Sequence, residues 1–178
     1  EIASCLVGSE MCIRDRFLGH PVRLEIEPGR FLVAEAGVLV SEVHSVNRRP
    51  ERDFALVDAG FNDLMRPAMY GSYHRITVHA PDGSAPQGVA ETRIAVAGPL
   101  CESGDVFTQD EGGVMSDQLL PQPRIGDFMV FHNTGAYGSS MSSNYNSRPL
   151  APEVLLDHGN ARLIRRRQTV SELLALEQ

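Results

Sequence analysis

Residues 92–105 read TRIAVAGPLCESGD, and their reading decides the fold. The run Ile94-Ala95-Val96-Ala97 is apolar and β-prone, and the breaker pair Gly98-Pro99 stops it, so residues 92–97 form a strand that ends there. Just beyond come Cys101, Glu102, Ser103 and Asp105, with Gly104 easing the backbone turn. A thiol, carboxylates and a hydroxyl are thus gathered at the mouth of a strand. A lone cysteine is more often a small buried hydrophobe. Here the polar neighbours suit an exposed site, and a thiol among carboxylates suits a proton donor better than a nucleophile.

Working outward, short strand patterns recur on both sides. Residues 22–26 (VRLEI) alternate with period two and end at Glu27-Pro28-Gly29-Arg30. Residues 31–46 (FLVAEAGVLVSEVHSV) fit one helix or one or two strands, and Gly37 with the β-branched residues favours strand. Residues 54–58, 75–79 and 126–131 read as further strands, and 153–156 and 161–165 as two more, split by Asp157-His158-Gly159-Asn160. Residues 62–73 are a loop or short helix. Residues 107–123, acidic and broken by glycine and proline, read as a connector. Residues 169–176 close the chain as a helix, capped by Thr169 with Glu172 three positions on. The body is a mainly β barrel or sandwich with one short terminal helix.

Three other stretches carry chemistry-bearing residues. Glu27-Pro28-Gly29-Arg30 places a carboxylate and a guanidinium at the carboxyl end of a strand, where α/β barrels put their sites; alone it is equally a tight turn. Arg66 and Tyr70 share a face if their segment is helical, and arginine binds a carboxylate bidentately; a plain surface pair is the alternative. Residues 133–149 (NTGAYGSSMSSNYNSRP) are small and polar around Tyr137, whose neighbours Gly135, Ala136 and Gly138 let a flat ligand or another backbone approach closely.

Composition narrows the functions. The chain has 178 residues and a formal charge of −7, which argues against a general nucleic-acid binder. Arg165-Arg166-Arg167, the one basic run, reads as a solvated face. No apolar run reaches membrane-spanning length. Cys5, Cys12 and Cys101 lack zinc-site or disulfide-framework spacing, which fits a reducing, cytoplasmic setting, and no histidine pair suggests a metal site. All 16 basic residues are arginine, so the chain supplies no side-chain amine for a Schiff base and none for a phosphate-loop lysine. Residues 1–16 match neither strand nor helix patterning nor a signal peptide, and resemble a translated sequencing-adapter leader.

Taken in order, EPGRFLVAEAGVLV, FALVDAGFNDLMRPAMYGSYH, GPLCESGDVF and GDFMVFHNTGAYGSSMSSNYNSRPLAPEVL resemble the C-terminal part of the diaminopimelate decarboxylases, fold-type III pyridoxal-phosphate enzymes, over residues 17–178. The resemblance implies a fragment: residues 17–30 as the last strand of a missing (β/α)8 barrel, and 31–178 as a C-terminal β domain. The lysine that holds pyridoxal 5'-phosphate would lie in that barrel, so the chain alone would be inactive. It further implies that Glu27 pairs with the pyridine nitrogen, while Pro28, Gly29 and Arg30 lie near the phosphate, with Arg30 also reaching a substrate carboxylate. Arg66 and Tyr70 would hold the distal end of meso-diaminopimelate, Glu102 its distal ammonium, and Tyr137 would contact cofactor and substrate. Cys101 would be the general acid, and Cys101 and Glu102 would reach into the partner's site of a homodimer. Carboxynorspermidine, ornithine or arginine decarboxylases are alternatives, as is a stand-alone β binding or dimerisation module.

Overall fold

The computed structural model describes residues 26–177. The strand expected over 22–26 therefore lies outside the described residues except for Ile26, which belongs to no element. The leader and most of the 17–30 segment also lie outside them.

Six strands form one sheet in the order β3-β6-β1-β2-β4-β5. They are β1 (Leu39–Asn47), β2 (Asp53–Val57), β3 (Ile76–His79), β4 (Glu91–Ala97), β5 (Gln118–Pro121) and β6 (Phe128–Phe131). All neighbouring pairs are antiparallel except β2 with β4, which is parallel. β1 serves two neighbours in succession: Leu39 to Glu42 pair with β6, and Val43 to Asn47 pair with β2 across an irregularity at His44. Such a break bends and twists the strand. It lets the sheet curl until its end strands β3 and β5 approach each other. The fold is a nearly closed, mainly β barrel.

Period-two patterning explains what lies inside. Ala55 and Val57, Ile76 and Val78, and Met129 and Phe131 all point into the core with Val43, Leu64, Ile94, Val96, Phe107 and Leu120. The Phe107 and Phe131 rings meet at 4.5 Å. Each fully buried side chain of this size stabilises the fold by about 1.5–3 kcal/mol.

Three expectations need correction. Residues 31–46 are not all strand: α1 (Gly29–Val33) and a 3-10 turn (Ala34–Ala36) precede β1. Phe31, Leu32 and Val33 are exposed, so no sheet neighbour rewards extending them. Residues 107–123 are not merely a connector, because β5 lies within them and pairs with β4. Its two leucines are too short an apolar run to declare a strand without that partner. The terminal helix α3 (Val170–Leu173) is also one turn, shorter than expected.

The hairpin of β7 (Glu153–Asp157) and β8 (Asn160–Arg165) stands apart from the sheet, with Leu155, Leu156, Leu163 and Ile164 exposed. The basic run beside it is partly paired: Arg165 meets Glu153 at 2.8 Å, and Arg166 contacts Glu172.

Candidate functional site

Arg66 opens α2 (Arg66–Tyr70), with Pro67 in its first turn, where a missing N–H is harmless. The helix ends at Gly71 in the left-handed conformation (φ 59°), its N–H donating to the Pro67 carbonyl at 3.0 Å. A Cβ at Gly71 would overlap the Asp110–Glu111 backbone, so glycine is required twice over. The i, i+4 spacing brings Tyr70 to Arg66: the guanidinium carbon lies 5.3 Å from the Tyr70 ring centroid. It lies equally 5.3 Å from the Tyr137 ring. Cation–π contacts contribute about 0.5–1 kcal/mol each at exposed sites. They fix the plane of the guanidinium. One of its N–H groups donates to the Ser72 hydroxyl at 3.1 Å.

Tyr137 reaches that position because its loop is tied to the segment after α1. Thr134 N–H donates to the Gly37 carbonyl at 2.9 Å and Gly135 N–H to the Ala34 carbonyl at 3.0 Å. A Cβ on Gly37 would sit 2.7 Å from Gly135 Cα, so the two backbones touch only because both residues are glycine. Tyr137 itself is left-handed (φ 59°), an uncommon conformation for a bulky residue. The structure thus joins two stretches singled out in the sequence, Arg66–Tyr70 and the Tyr137 loop, and ties that loop to residues 34–37, which follow the Glu27–Arg30 stretch. Glu27 and Arg30 are exposed, and open space lies beside Gly29. The exposed Arg30 beside the open Gly29, and Arg66 between its two rings, are positive groups that suit anionic ligand groups.

His74 lies beneath this group. It is 5% exposed, and its Nδ1 lies 2.8 Å from the His132 carbonyl. A carbonyl only accepts, so Nδ1 carries the proton and Nε2 is bare. Nε2 is buried without a hydrogen-bond partner. Burial, with help from the charges of Arg66 and Arg30, lowers its pKa. Sequence reasoning did not single out His74.

Cys101 and Glu102 form a second cluster. Cys101 is free and exposed. Glu102 accepts from the Gly104 N–H at 3.3 Å, the Ser103 hydroxyl at 3.2 Å and the Tyr145 hydroxyl at 3.3 Å. These donors, the Gly104 N–H first and Ser103 next, hold its carboxyl below the usual range. Asp105 departs from its expectation: it is 3% exposed, not part of an exposed polar face. Its two oxygens accept from Phe61 N–H at 2.7 Å and Leu100 N–H at 2.8 Å, which fastens the turn to the loop after β2. Burial raises its pKa. Among the described residues no hydrogen bond or ring contact joins Cys101 or Glu102 to Arg66 or Tyr137. The structure does not merge the two clusters within one chain.

A cleft of about 690 Å³ lies elsewhere, between the facing edges of β3 and β5, and no candidate residue lines it. Among the described residues no three His, Cys, Asp or Glu side chains gather to hold a metal, and no helix is long and apolar enough to cross a membrane.

Comparison with known proteins places these features in a family. A family model described as the pyridoxal-dependent decarboxylase C-terminal sheet domain matches residues 6–135. The chain is 67% identical over 162 residues to the diaminopimelate decarboxylase of Escherichia coli (strain K12), covering 91% of this chain and 39% of that relative. It is similar to a crystal structure of diaminopimelate decarboxylase with a TM-score of 0.82 at 67% identity, covering 91% of this chain and 38% of that one. It is also similar to the diaminopimelate decarboxylase from M. jannaschii in co-complex with L-lysine, at a TM-score of 0.75 and 35% identity, covering 99% and 37%. The chain therefore spans well under half the length of these relatives. It belongs to the pyridoxal-dependent decarboxylase family, through the C-terminal sheet domain of that family.

Proposed function

From that family membership, we propose that this chain is the C-terminal part of an enzyme that converts meso-diaminopimelate to L-lysine and carbon dioxide with pyridoxal 5'-phosphate. The observation that carries the reading is Arg66, held between the Tyr70 and Tyr137 rings. A planar cation with a fixed orientation suits a second, distal carboxylate, which ornithine and arginine lack. The M. jannaschii relative solved with L-lysine supports the product.

When bound, the cofactor supplies an electron sink for the carbon that loses carbon dioxide. This chain's residues bind and orient around it. Glu27 pairs with the pyridine nitrogen. Pro28 and Gly29 leave the backbone open to the phosphate, and Arg30 neutralises the phosphate and reaches a substrate carboxylate. Tyr137 contacts cofactor and substrate. Arg66 and Tyr70 hold the distal carboxylate, and Glu102 the distal ammonium. Cys101 delivers the proton of its Sγ to the carbon that has lost carbon dioxide. Cys101 and Glu102, which share no hydrogen bond or ring contact with Arg66 among the described residues, serve the site of a partner subunit in a homodimer. A free, exposed cysteine suits the reducing cytoplasm. The enzyme needs neither nucleic acid nor membrane.

The test joins residues 17–178 to the N-terminal portion of the E. coli relative and measures carbon dioxide and lysine release. Expected is turnover of meso-diaminopimelate by the joined enzyme, little with ornithine or arginine, and none by the 178-residue chain alone, which has no lysine. A joined enzyme that binds cofactor yet prefers ornithine or arginine would overturn the substrate assignment. Turnover by the chain alone would overturn its dependence on a second segment.

A further inference from the structure

Glu102 sits on a closed circuit of contacts that the proposed chemistry does not use. Asp105, buried, holds the Phe61 N–H and the Leu100 N–H, one from each loop. Gly98 leaves room for this, since a Cβ there would overlap the Asp105 carboxylate. With its backbone so fixed, Phe61 packs its ring on Tyr145 at 5.0 Å between centroids, tilted by 43°. The Tyr145 hydroxyl donates to Glu102 Oε2 at 3.3 Å, while Ser103 and Gly104 occupy Oε1. The circuit thus returns to the turn that Asp105 anchors.

Tyr145 is held from its other side as well. It opens the 3-10 turn Tyr145–Ser147, in which Asn146 (φ 54°) and Ser147 (φ 56°) are left-handed. The Asn144 side-chain amide closes that turn, donating to the Arg148 carbonyl at 2.8 Å and to Gln168 Oε1 at 2.6 Å. Burial raises the Tyr145 pKa, and the Glu102 carboxylate raises it further. The phenol therefore stays a donor across the physiological range.

Glu102 is exposed, and a glutamate in water turns freely about its side-chain bonds. One oxygen is fixed by its own turn. The other is fixed by a residue that comes from a different loop and has no other bond to that turn. We infer that Tyr145 is a positioning residue. It aims Glu102 Oε2 at a ligand ammonium remote from the reacting carbon, and so favours substrates that carry that ammonium over those that lack it. The inference rests on the reading of Glu102 as the ammonium-binding carboxylate.

The experiment uses the joined enzyme with Tyr145→Phe, which keeps the Phe61 stack and removes only the hydroxyl. Expected is a KM for meso-diaminopimelate raised about threefold to tenfold, a smaller change in kcat, and an unchanged inhibition constant for 2-aminopimelate, which lacks the distal ammonium. Phe61→Leu, which frees the ring, should raise the same KM with the same selectivity. A merely structural role would shift both constants together, and that outcome, or no shift in either, would overturn the inference. An enzyme that fails to turn over meso-diaminopimelate would instead sink the function proposed above. In that event tyrosine absorbance decides: the Tyr145 titration, isolated as the difference from Tyr145→Phe, should move to lower pH in Glu102→Gln. A midpoint that stays put would show no coupling and overturn the inference.

Discussion

The Arg66 group and the Cys101 turn are built by opposite means. Arg66 is held by contacts through its own side chain: two aromatic faces and the Ser72 hydroxyl. Cys101 makes no such contacts among the described residues and is held only through its backbone turn, by the buried carboxylate of Asp105. A binding cation gains from a fixed plane, because a carboxylate must meet two of its N–H groups at once. A proton donor needs access and reach more than a fixed plane. On the proposed reading, the first group serves its own subunit and the second a neighbour's.

Substitutions that separate the two groups should show this difference, most strongly at the reacting proton. Cys101→Ala in the joined enzyme should lower kcat about 10²- to 10⁴-fold with little change in KM, measured by steady-state lysine release. An equal fall in affinity would move Cys101 from chemistry to binding. Mixing Cys101→Ala subunits with Arg66→Ala subunits should restore part of the activity, because a mixed dimer keeps one intact site; no recovery would place both groups in one subunit's site.

At Arg66 the effect should fall on binding instead. Arg66→Lys keeps the charge but loses the planar fork and ring stacking, so KM for meso-diaminopimelate should rise about 10- to 100-fold while kcat falls less. A lysine that binds as well would mean that charge alone, without the fixed plane, is what matters.

Asp105→Ala tests whether the turn has a single anchor. It leaves two N–H groups without their acceptor and should cost about 2–4 kcal/mol locally. Amide exchange at Phe61 and Leu100 should accelerate while exchange in β6 stays slow. Acceleration throughout the sheet would make Asp105 a determinant of the whole fold.

A smaller effect is expected from acid. The folded-state pKa of His74 is lowered by burial, so the unfolded chain takes up its proton first as pH falls. Stability should therefore be full above the unfolded value of 6.5 and decline as pH drops below it, toward the lower folded value. His74→Asn should flatten that slope in melting curves of the joined enzyme between pH 7 and 5. Glu172 has the same sign at lower pH: Arg166 and the Thr169 cap lower its pKa to about 2, so its contribution is full above 4.5 and is lost as pH falls toward about 2. It is exposed, so only the end of α3 should fray.

Much of this molecule was legible as sequence because local rules sufficed. Period-two runs at Ile76 and Val78 or at Met129 and Phe131 define strands wherever one face is buried. Thr169 with Glu172 forms the capping box that its spacing predicts. The i, i+4 spacing of Arg66 and Tyr70 puts them on one face once their segment is helical. The helix at Gly29–Val33 and the strand at Gln118–Pro121 were not legible. In the first, β-prone residues find no sheet neighbour; in the second, a short apolar pair finds one in β4.

The candidate site divides along the same line. Residue types and order determined which side chains could carry the chemistry, because a motif fixes identity and spacing along the chain. Only the tertiary structure decided that Tyr137 closes the second face of Arg66, that Asp105 is buried, and that Tyr145 meets Glu102. Each depends on two loops distant in sequence arriving at one place. That arrival is set by backbone packing such as Gly37 against Gly135, a fit in three dimensions that no local pattern encodes.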